Sequence, residues 1–376
     1  MIIYIDKSIA EHGNFTDNEE VMFNELACAH RRGICYLCGA PESIDRLKKE
    51  WSIFRKGIDT QYAEIGTLFN VVDTLLVISY YASPILPKII QNKLSQDRKS
   101  VRVISVDQAI DYRLNRQCIL LGESLYDCDF YRLITEYYLH SQQNAIRGIS
   151  LSLVDEIGGG DSTNKALEKC VRKNHNLTFC LTDSDKKYDK SQKYGAEPSQ
   201  GKTARSLIKS ETELIKEGFR QLFELYCLDV HEAENLIPFS ILDDVAKNTI
   251  PQMLPGINYL RKLKAANLSD AILYYDFKKG NNIAKLRNEC QNEDNKNKPK
   301  LAYWEEIAQC IEDESAPCLS ENILNKAIEC MKKPGYIASE MFELDDYLVD
   351  IWHVIGKKVF SWGCANRPNA ANPSCC

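Results

Sequence analysis

The stretch TFCLTDSDKKY, residues 178–188, decides how the rest of the chain is interpreted. Its first five residues, 178–182, are mostly apolar and predict a buried strand. Asp183 and Asp185 follow directly, and residues two apart at a strand exit point to the same side. Carboxylates placed in this way repel each other unless a cation lies between them, and hard divalent cations prefer oxygen ligands. Because Asp and Ser are also favoured in turns, a metal site and a plain turn both remain open at this point.

Strands and helices alternate on both sides of this stretch. The segments QCILLGE (117–123) and GISLSLVDEIGGGD (148–161) predict two more strands, each followed by a helical pattern. A long helix is predicted over residues 203–228. The alternation is typical of a parallel sheet with helices on its faces, in which ligands bind at the carboxyl ends of the strands.

The sequence predicts three regions. Residues 1–112 read as an N-terminal α/β region, residues 113–240 contain the parallel sheet, and residues 241–376 are mainly helical. The polar segment 280–300 is predicted to be a mobile loop or insertion, and the tail 362–376 to be a loop.

Composition narrows the class of protein. The hydrophobic fraction of 44% over 376 residues is enough for a globular core. No apolar run is long enough for a membrane helix, and the first residues lack the basic lead of a secretion signal. The 15 cysteines show no disulfide framework, so we expect reduced thiols in the cytoplasm. The net charge of −6 excludes a surface coated in basic residues but allows a local nucleic-acid patch.

Acidic residues collect where the predicted strands end. The second strand instead ends in three glycines, residues 158–160. If the sheet is parallel, its carboxyl edge brings together the following acids: Glu123, Asp127, Asp183, Asp185, and one of Glu232 or Glu234.

The order of these motifs resembles the Toprim domain that topoisomerases, primases and OLD-family nucleases share. The resemblance covers roughly residues 116–240 and rests on four motifs, which are GESLYDCDFY (122–131), IGGGDS (157–162), LTDSDKKY (181–188) and HEAENLIP (231–238). It implies a Toprim-like parallel sheet flanked by helices, with metal-dependent chemistry on phosphodiesters.

One departure from the family concerns the first glutamate. The family usually has glycine after it, whereas here Gly122 precedes Glu123 and Ser124 follows. Glu156 is therefore a competing candidate. We prefer Glu123 because a helix carrying Asp127 follows its strand, and we expect Glu156 to be a solvated carboxylate at a strand end.

The chemistry follows from the charges. Phosphodiester cleavage needs a nucleophilic water at neutral pH and relief of negative charge on the phosphate, and two divalent ions supply both. Magnesium or manganese suits oxygen ligands. The metal ligands that we expect are Glu123, Asp127, Asp183, Asp185 and Glu234, with Glu232 as a further ligand or a buttress.

Basic residues near the aspartate pair are candidates for contacts with the substrate. By resemblance to OLD nucleases, Lys202 would join Glu123, Asp183 and Asp185 as a catalytic residue that stabilises the phosphate, although an ordinary solvated lysine is equally open. The basic stretch 186–205 is a candidate grip on a nucleic-acid backbone. His231 is expected to be a hydrogen-bonding loop residue rather than a base.

Two further groups of residues are candidate binding sites. Cys28, His30, Cys35 and Cys38 have spacings that zinc could use, but GICYLCG also reads as a core strand with small apolar cysteines. Asp6 ends the first strand without a second acid clearly tied to it. The chain has no Walker loop, so an ATPase would have to be a separate partner.

The sequence thus predicts a magnesium- or manganese-dependent endonuclease that acts on DNA, with RNA, including transfer RNA, as the alternative substrate. The resemblance further implies a cytoplasmic effector of bacterial anti-phage defence that works with a separate ATPase or sensor protein and could form oligomers. The alternative from a different class is a non-catalytic Toprim-fold module that senses or binds through a partner protein.

Overall fold

The fold is seen in a computed structural model, which describes residues 1–55, 68–84, 100–142, 148–188, 200–292, 298–339 and 341–367, together with Ile58, Leu86 and Gln91. Two four-stranded parallel sheets and a small antiparallel pair make up its β-structure. The strands are β1 Ile2–Ile5, β2 Tyr36–Gly39, β3 Thr74–Ser79, β4 Ser100–Ser105, β5 Cys118–Gly122, β6 Ile149–Leu151, β7 Leu153–Ile157, β8 Thr178–Thr182, β9 Phe223–Cys227 and β10 Cys364–Asn366.

The first sheet has the strand order β2-β1-β3-β4, with every neighbouring pair parallel. Its strands β1, β2 and β3 are fully buried, as expected of a sheet covered on both faces. Its helices are α1 Ser8–Glu11, α2 Asp17–Arg31, α3 Pro41–Glu50 and α4 Val106–Asp111, with a 3-10 turn at Ser52–Arg55.

The second sheet has the order β7-β5-β8-β9 and is also parallel throughout. Its helices are α5 Leu125–Ser141, α6 Thr163–Glu168 with a π-helical extension Lys169–Lys173, and α7 Lys202–Lys216, with 3-10 turns at Gly160–Ser162 and Phe219–Gln221. The prediction of a parallel sheet flanked by helices is therefore confirmed at the level of an α/β class. Because all four strands run the same way, their carboxyl ends share one edge.

The predicted helix over 203–228 is wrong in its second half. Helix α7 ends at Lys216, and the chain returns as the strand β9, which pairs with β8 from Phe223 to Cys227. Gly218 adopts a φ of +91°, a left-handed conformation that ends helices and that glycine accepts without a side-chain clash. The helical spacing of apolar residues continues past this glycine, which is why the pattern misled.

The last part of the described chain is mainly helical. Its helices are α8 Phe239–Asn248, α9 Leu254–Ala265, α10 Ser269–Ile272, α11 Ile283–Asn292, α12 Lys298–Ile311, α13 Ile323–Met331 and α14 Asp346–Gly363, with 3-10 turns at Ala233–Leu236 and Pro251–Met253. Helix α14 packs along α5, where the indole of Trp352 meets the ring of Phe130 edge-on at 6.1 Å. The Trp352 indole N–H also donates to the carbonyl of Leu236, at 2.9 Å. These helices thus pack directly on the second sheet's own helix.

Two further predictions are wrong in the C-terminal part. The expected mobile loop or insertion at 280–300 is wrong as a loop for residues 283–292, which form α11 because Ile283 and Leu286 bury one apolar face. Residues 298–300 begin α12, and residues 293–297 lie outside the described part. The tail was predicted to be a loop, yet β10 pairs antiparallel with β6; residues 368–376 lie outside the described part. Among the helices that the structure describes, none has both the length and the apolar character needed to cross a bilayer.

The two sheets are joined side by side through their edge strands. Arg102 on β4 donates to the carbonyl of Phe223 on β9 at 2.8 Å and pairs with Glu224 at 3.3 Å. Its guanidinium lies 4.8 Å from the ring centroid of Trp362. Lys358 of α14 also pairs with Glu224, at 2.6 Å. The link is a partly buried charge network rather than apolar packing alone.

Candidate functional site

Glu123 leaves β5 at the carboxyl edge of the second sheet and is held from both sides. The hydroxyl of Thr182, the last residue of β8, donates to Glu123 Oε1 at 2.8 Å. The amide of Gly159, in the glycine turn after β7, donates to the Glu123 carbonyl at 3.0 Å. Burial raises the pKa of Glu123, and the charges of Asp127 and Asp185 raise it further although the Thr182 bond opposes them.

Asp127 lies in the first turn of α5 and forms a capping box with Ser124. The Ser124 amide donates to Asp127 Oδ2 at 2.8 Å, and the Asp127 amide donates to the Ser124 hydroxyl at 3.3 Å. Burial raises the pKa of Asp127, and the charge of Glu232 adds to this while Lys278 opposes it. One carboxylate therefore both caps a helix and faces the other acids.

Asp183 follows β8 directly and lies at the centre of the acids. Its Oδ1 accepts the amide of Ala233 at 3.0 Å, which ties the strand exit to the turn after β9. The residue keeps some exposed surface, yet burial of its carboxyl group raises its pKa well above the usual range. Four neighbouring carboxylates raise this pKa further, which are Asp127, Glu234, Glu123 and Glu232.

Glu232 and Glu234 lie after β9 and share an ammonium group. Lys278 Nζ is 2.9 Å from Glu234 Oε1 and 3.1 Å from Glu232 Oε2. Burial raises the pKa of Glu234, which is 5% exposed, and Lys278 offsets this only in part. Burial would lower the pKa of Lys278, but the two carboxylates outweigh it and raise that pKa above its ordinary value.

Asn235 fixes this acidic turn in place. It is 0% exposed, and its Nδ2 donates to the carbonyls of Ile272 at 2.7 Å and Tyr275 at 2.8 Å. Its Oδ1 accepts the amide of Glu232 at 3.0 Å. The side chain therefore holds the turn against the segment that carries Lys278.

Asp185 has a strained backbone and a tightly packed side chain. Its φ of +56° is left-handed, which costs a non-glycine residue on the order of 1 kcal/mol. Its amide donates to the carbonyl of His231 at 2.9 Å. A Cβ added to Gly201 would lie 1.6 Å from Asp185 Oδ2, so only glycine fits before α7. The carboxylate consequently lies at the N-terminus of α7, close enough to Glu123 to raise its pKa.

His231 is buried between acids. Its Nε2 lies 3.8 Å from Glu232 Oε1 and 3.9 Å from Asp276 Oδ2, distances too long for hydrogen bonds. Burial would raise the pKa of Asp276, but His231 and the Lys279 amide lower it to about 2. Its backbone carbonyl accepts the Asp185 amide, but neither ring nitrogen has a hydrogen-bond partner, so the side chain does not show the hydrogen-bonding role expected of it.

The side chains of the remaining candidates pair with groups outside the six acids. Lys202 begins α7 with its side chain 72% exposed, and it pairs with Asp161 at the glycine turn. Glu156 is 38% exposed on β7 and lies 3.8 Å from Lys169, as a solvated carboxylate would. Of the basic stretch 186–205, residues 189–199 lie outside the described part, and the buried Lys186 pairs with Asp229.

The cysteine pair lies at β2 in the first sheet, and Asp6 at the end of β1 is bonded through one of its two carboxylate oxygens. Cys35 directly precedes β2 and Cys38 lies within it, and both are buried. His30 Nδ1 accepts the amide of Leu37 at 3.0 Å. Asp6 Oδ2 accepts from the amide of Ser8 and, at 2.9 Å, from the hydroxyl of Ser79.

A divalent cation fits the donor set of the acidic centre, which we define as Glu123, Asp127, Asp183, Asp185, Glu232 and Glu234. Carboxylate oxygens are the ligands that magnesium and manganese prefer. Among the described residues, no three His, Cys, Asp or Glu side chains lie close enough to ligate one ion. Five of these acids instead bind a protein group through their carboxylates, which are Glu123, Asp127, Asp183, Glu232 and Glu234, and Lys278 lies between the last two. Binding an ion would thus require these side chains to turn toward one point.

Lys278 is the central residue that the sequence did not reveal. It lies in the segment after α10, and nothing local distinguishes it from the exposed Lys279 beside it. Only the packing of this segment against the turn at Glu232 brings the ammonium to the acids. Asn235, by contrast, lies within the HEAENLIP motif and could have been singled out there.

Replacing Lys278 by methionine should destabilise the metal-free protein, because Glu232 and Glu234 would lose their counter-charge. We expect a loss on the order of 1–2 kcal/mol, less than for a fully buried pair since the Lys278 side chain is 33% exposed. Magnesium should raise the melting temperature of the variant more than that of the wild type. Chemical and thermal unfolding with and without magnesium measure both effects. Lys279→Met is the matched control and should change neither; equal stability of Lys278→Met would contradict the assigned role.

Comparison with protein-family models, curated proteins and solved structures finds no match to this chain. A function must therefore be inferred from the chemistry of the acidic centre itself.

Proposed function

We propose that this protein is a metal-dependent nuclease that hydrolyses phosphodiester bonds at the acidic centre. The observation that carries the proposal is the gathering of Glu123, Asp127, Asp183 and Glu234 at one edge of a parallel sheet, where burial and mutual charge raise their pKa values. The Toprim resemblance of the same motifs supports it, since those families hydrolyse or transfer phosphodiesters with such acids.

This arrangement of acids is energetically costly without a cation. Buried carboxylates that face one another disfavour their charged forms, and Lys278 contributes a single positive charge. Clusters of this kind are typical of functional sites rather than of stabilising cores. A site that binds divalent metal explains why the chain retains them together.

The chain's own groups have distinct roles in this proposal. Glu123, Asp127, Asp183, Asp185 and Glu234 would hold the metal, with Glu232 beside them; divalent ions supply an activated water and neutralise phosphate charge. Thr182 and the Ala233 amide orient Glu123 and Asp183. Lys278, already at the acids, is better placed than Lys202 to donate to a phosphate oxygen.

The wider setting rests on the resemblance alone. It favours DNA over RNA as substrate, and a cytoplasmic anti-phage effector restrained by a separate ATPase or sensor protein. The competing proposal is a non-catalytic module of the same fold. The position of Lys278 between Glu232 and Glu234 favours that alternative, because an internal ammonium can replace a metal ion permanently.

Incubation of purified protein with plasmid DNA, and separately with total RNA, tests the function. Each substrate is offered with magnesium, manganese or EDTA, and an Asp183→Ala/Asp185→Ala variant runs in parallel. Cleavage that needs metal and disappears in the variant supports the nuclease and identifies its substrate. If neither substrate is cleaved and magnesium leaves the melting temperature unchanged, the non-catalytic module is favoured.

The variants Glu123→Gln and Glu156→Gln should show which of the two glutamates is needed for cleavage. We expect Glu123→Gln to lower the cleavage rate by about a hundredfold or more, since it removes a charge from the acidic centre. Glu156→Gln should remain near the wild-type rate because its carboxylate pairs with Lys169 away from the other acids. Single-turnover cleavage of one labelled substrate compares the two variants, and the reverse order of effects would reassign the motif.

A further inference from the structure

Three lysines near the acidic centre make no direct ion pair in the described part of the chain, and only the more distant negative charges of Asp276 and Glu289 act on one of them, Lys300. Lys187, Lys285 and Lys300 form no ion pair with any residue in the described ranges, although many acids of the chain are paired with other cations. Lys187 and Lys285 are exposed, whereas Lys300 is half-buried. Like charges kept close together without a partner cost stability unless something external neutralises them.

The chain after Asp185 is fastened to α12, which brings two of these lysines together. The buried Trp304 donates its indole N–H to the carbonyl of Lys187 at 2.9 Å. The rings of Tyr188 and Tyr303 lie 6.4 Å apart in the same contact. Lys300 precedes Trp304 by four residues, so both lie on the same face of the helix. Lys300 therefore faces the chain at Lys187.

Helix α11 adds the third lysine. Arg287 on α11 pairs with Glu305 on α12 at 2.6 Å and with Glu314 at 2.9 Å, which fixes the two helices to each other. Burial lowers the pKa of Lys300 to about 8, and the charges of Lys187 and Lys285 contribute to the lowering. Lys187 and Lys285 thus both act on Lys300 across the contact between α11, α12 and the chain after Asp185, while Asp276 and Glu289 oppose them.

This group of lysines adjoins the acidic centre. Asp276 interacts electrostatically with Lys300 on one side. On the other side it lies 3.9 Å from His231, the residue immediately before Glu232. One aspartate therefore bridges the positive group and the negative centre.

We propose that Lys187, Lys285 and Lys300 form a phosphate-binding rim that holds the backbone of a nucleic-acid strand next to the acidic centre. This inference rests on the proposed nuclease function and names where its substrate binds. Ammonium groups that are not held in direct ion pairs attract the phosphates of a polyanion and release its counter-ions on binding. The C-terminal helices, rather than the sheet alone, would then select for nucleic acid.

The test measures binding of fluorescently labelled DNA and RNA oligonucleotides, each single-stranded and duplex, in EDTA so that no cleavage occurs. The protein is compared with Lys187→Gln/Lys285→Gln/Lys300→Gln and with a matched control, Lys49→Gln/Lys209→Gln/Lys216→Gln, which removes three charges from exposed lysines on α3 and α7. Affinity is followed from about 0.05 to 0.2 M salt. Lys285→Gln alone, an exposed change, serves if the triple variant unfolds.

We expect the rim variant to bind at least about tenfold more weakly and to lose up to about three units of the slope of log affinity against log salt, and the control to behave like the wild type. For Lys285→Gln the loss of slope should be about one unit. Equal binding by rim variant and control, or no binding by the wild type, would overturn the rim. Because EDTA removes cleavage from the readout, loss of binding in the rim variant would support the rim even if the nuclease assay fails.

Discussion

Asp183→Asn should abolish cleavage while making the metal-free protein more stable. Burial of the carboxyl group, and then the charges of four other acids, raise its pKa, so its charge opposes folding when no cation is present. Asparagine keeps the shape and the Oδ1 that accepts from the Ala233 amide, but removes the charge. We expect the free energy of unfolding to rise by on the order of 1 kcal/mol and the cleavage rate to fall by about a thousandfold or more. Urea unfolding in EDTA and single-turnover cleavage in magnesium measure the two quantities.

Asp129→Asn is the matched control for the combined gain of stability and loss of cleavage expected of Asp183→Asn. Asp129 lies two residues from Asp127 on α5, but it pairs with Lys332 at 2.8 Å on the surface. Its replacement should leave cleavage intact and cost at most a few tenths of a kcal/mol, about the value of a surface pair. If Asp183→Asn instead lowers stability and preserves cleavage, Asp183 is a structural residue and the acidic centre has been misassigned.

Asn235→Ala should have the largest effect on stability of the changes considered. It removes three hydrogen bonds at a site with 0% exposure. The Tyr275 carbonyl and the Glu232 amide lose their side-chain partner, and the Ile272 carbonyl keeps only the Tyr275 amide, at 3.3 Å. We expect a loss of about 2–4 kcal/mol, since buried polar groups without partners cost about 1 kcal/mol or more each. Activity should fall further than stability explains, because the turn that holds Glu232 and Glu234 would lose its position.

Asn248→Ala tests whether the loss of any asparagine side chain would destabilise the protein as much as Asn235→Ala. Asn248 is exposed at the end of α8, and its Nδ2 donates only to Asp244 in the same helix. We expect its free energy of unfolding to stay within about 0.5 kcal/mol of the wild type. Urea unfolding monitored by tryptophan fluorescence compares both variants, and equal losses would show that Asn235 does not hold the turn.

The sequence allowed the second sheet to be predicted because its strands are short apolar runs separated by helices. It also allowed the acids at the strand exits to be grouped, since parallel strands deliver their ends to one edge. The strand at 223–227 could have been predicted too: Gly218 is a helix stop, but the apolar spacing beyond it was read as the same helix. Helix α11 was missed because its buried face is only Ile283 and Leu286 within a polar segment.

The rest of the site depends on tertiary packing and has no local signal. Lys278 reaches the acids because Asn235 binds the segment before it, and neither contact can be inferred from spacing. The left-handed backbone of Asp185 depends on the His231 carbonyl, far away in the sequence. The sequence pattern places these acids at one edge of the sheet, but it gives no sign that Lys278 joins them.

The join between the two sheets also affects the tendency of this chain to self-associate. Strands β4 and β9 are each the last strand of a parallel sheet, and an open edge of that kind presents free carbonyl and amide groups on which another chain can add a strand. Arg102 occupies the carbonyl of Phe223, and the charged side chains of Glu224 and Lys358 lie over the same edge. The network that holds the sheets together therefore also shields two edges against aggregation. A substitution that loosens the join, such as Arg102→Met, would separate the sheets and expose both edges to fibrous self-association.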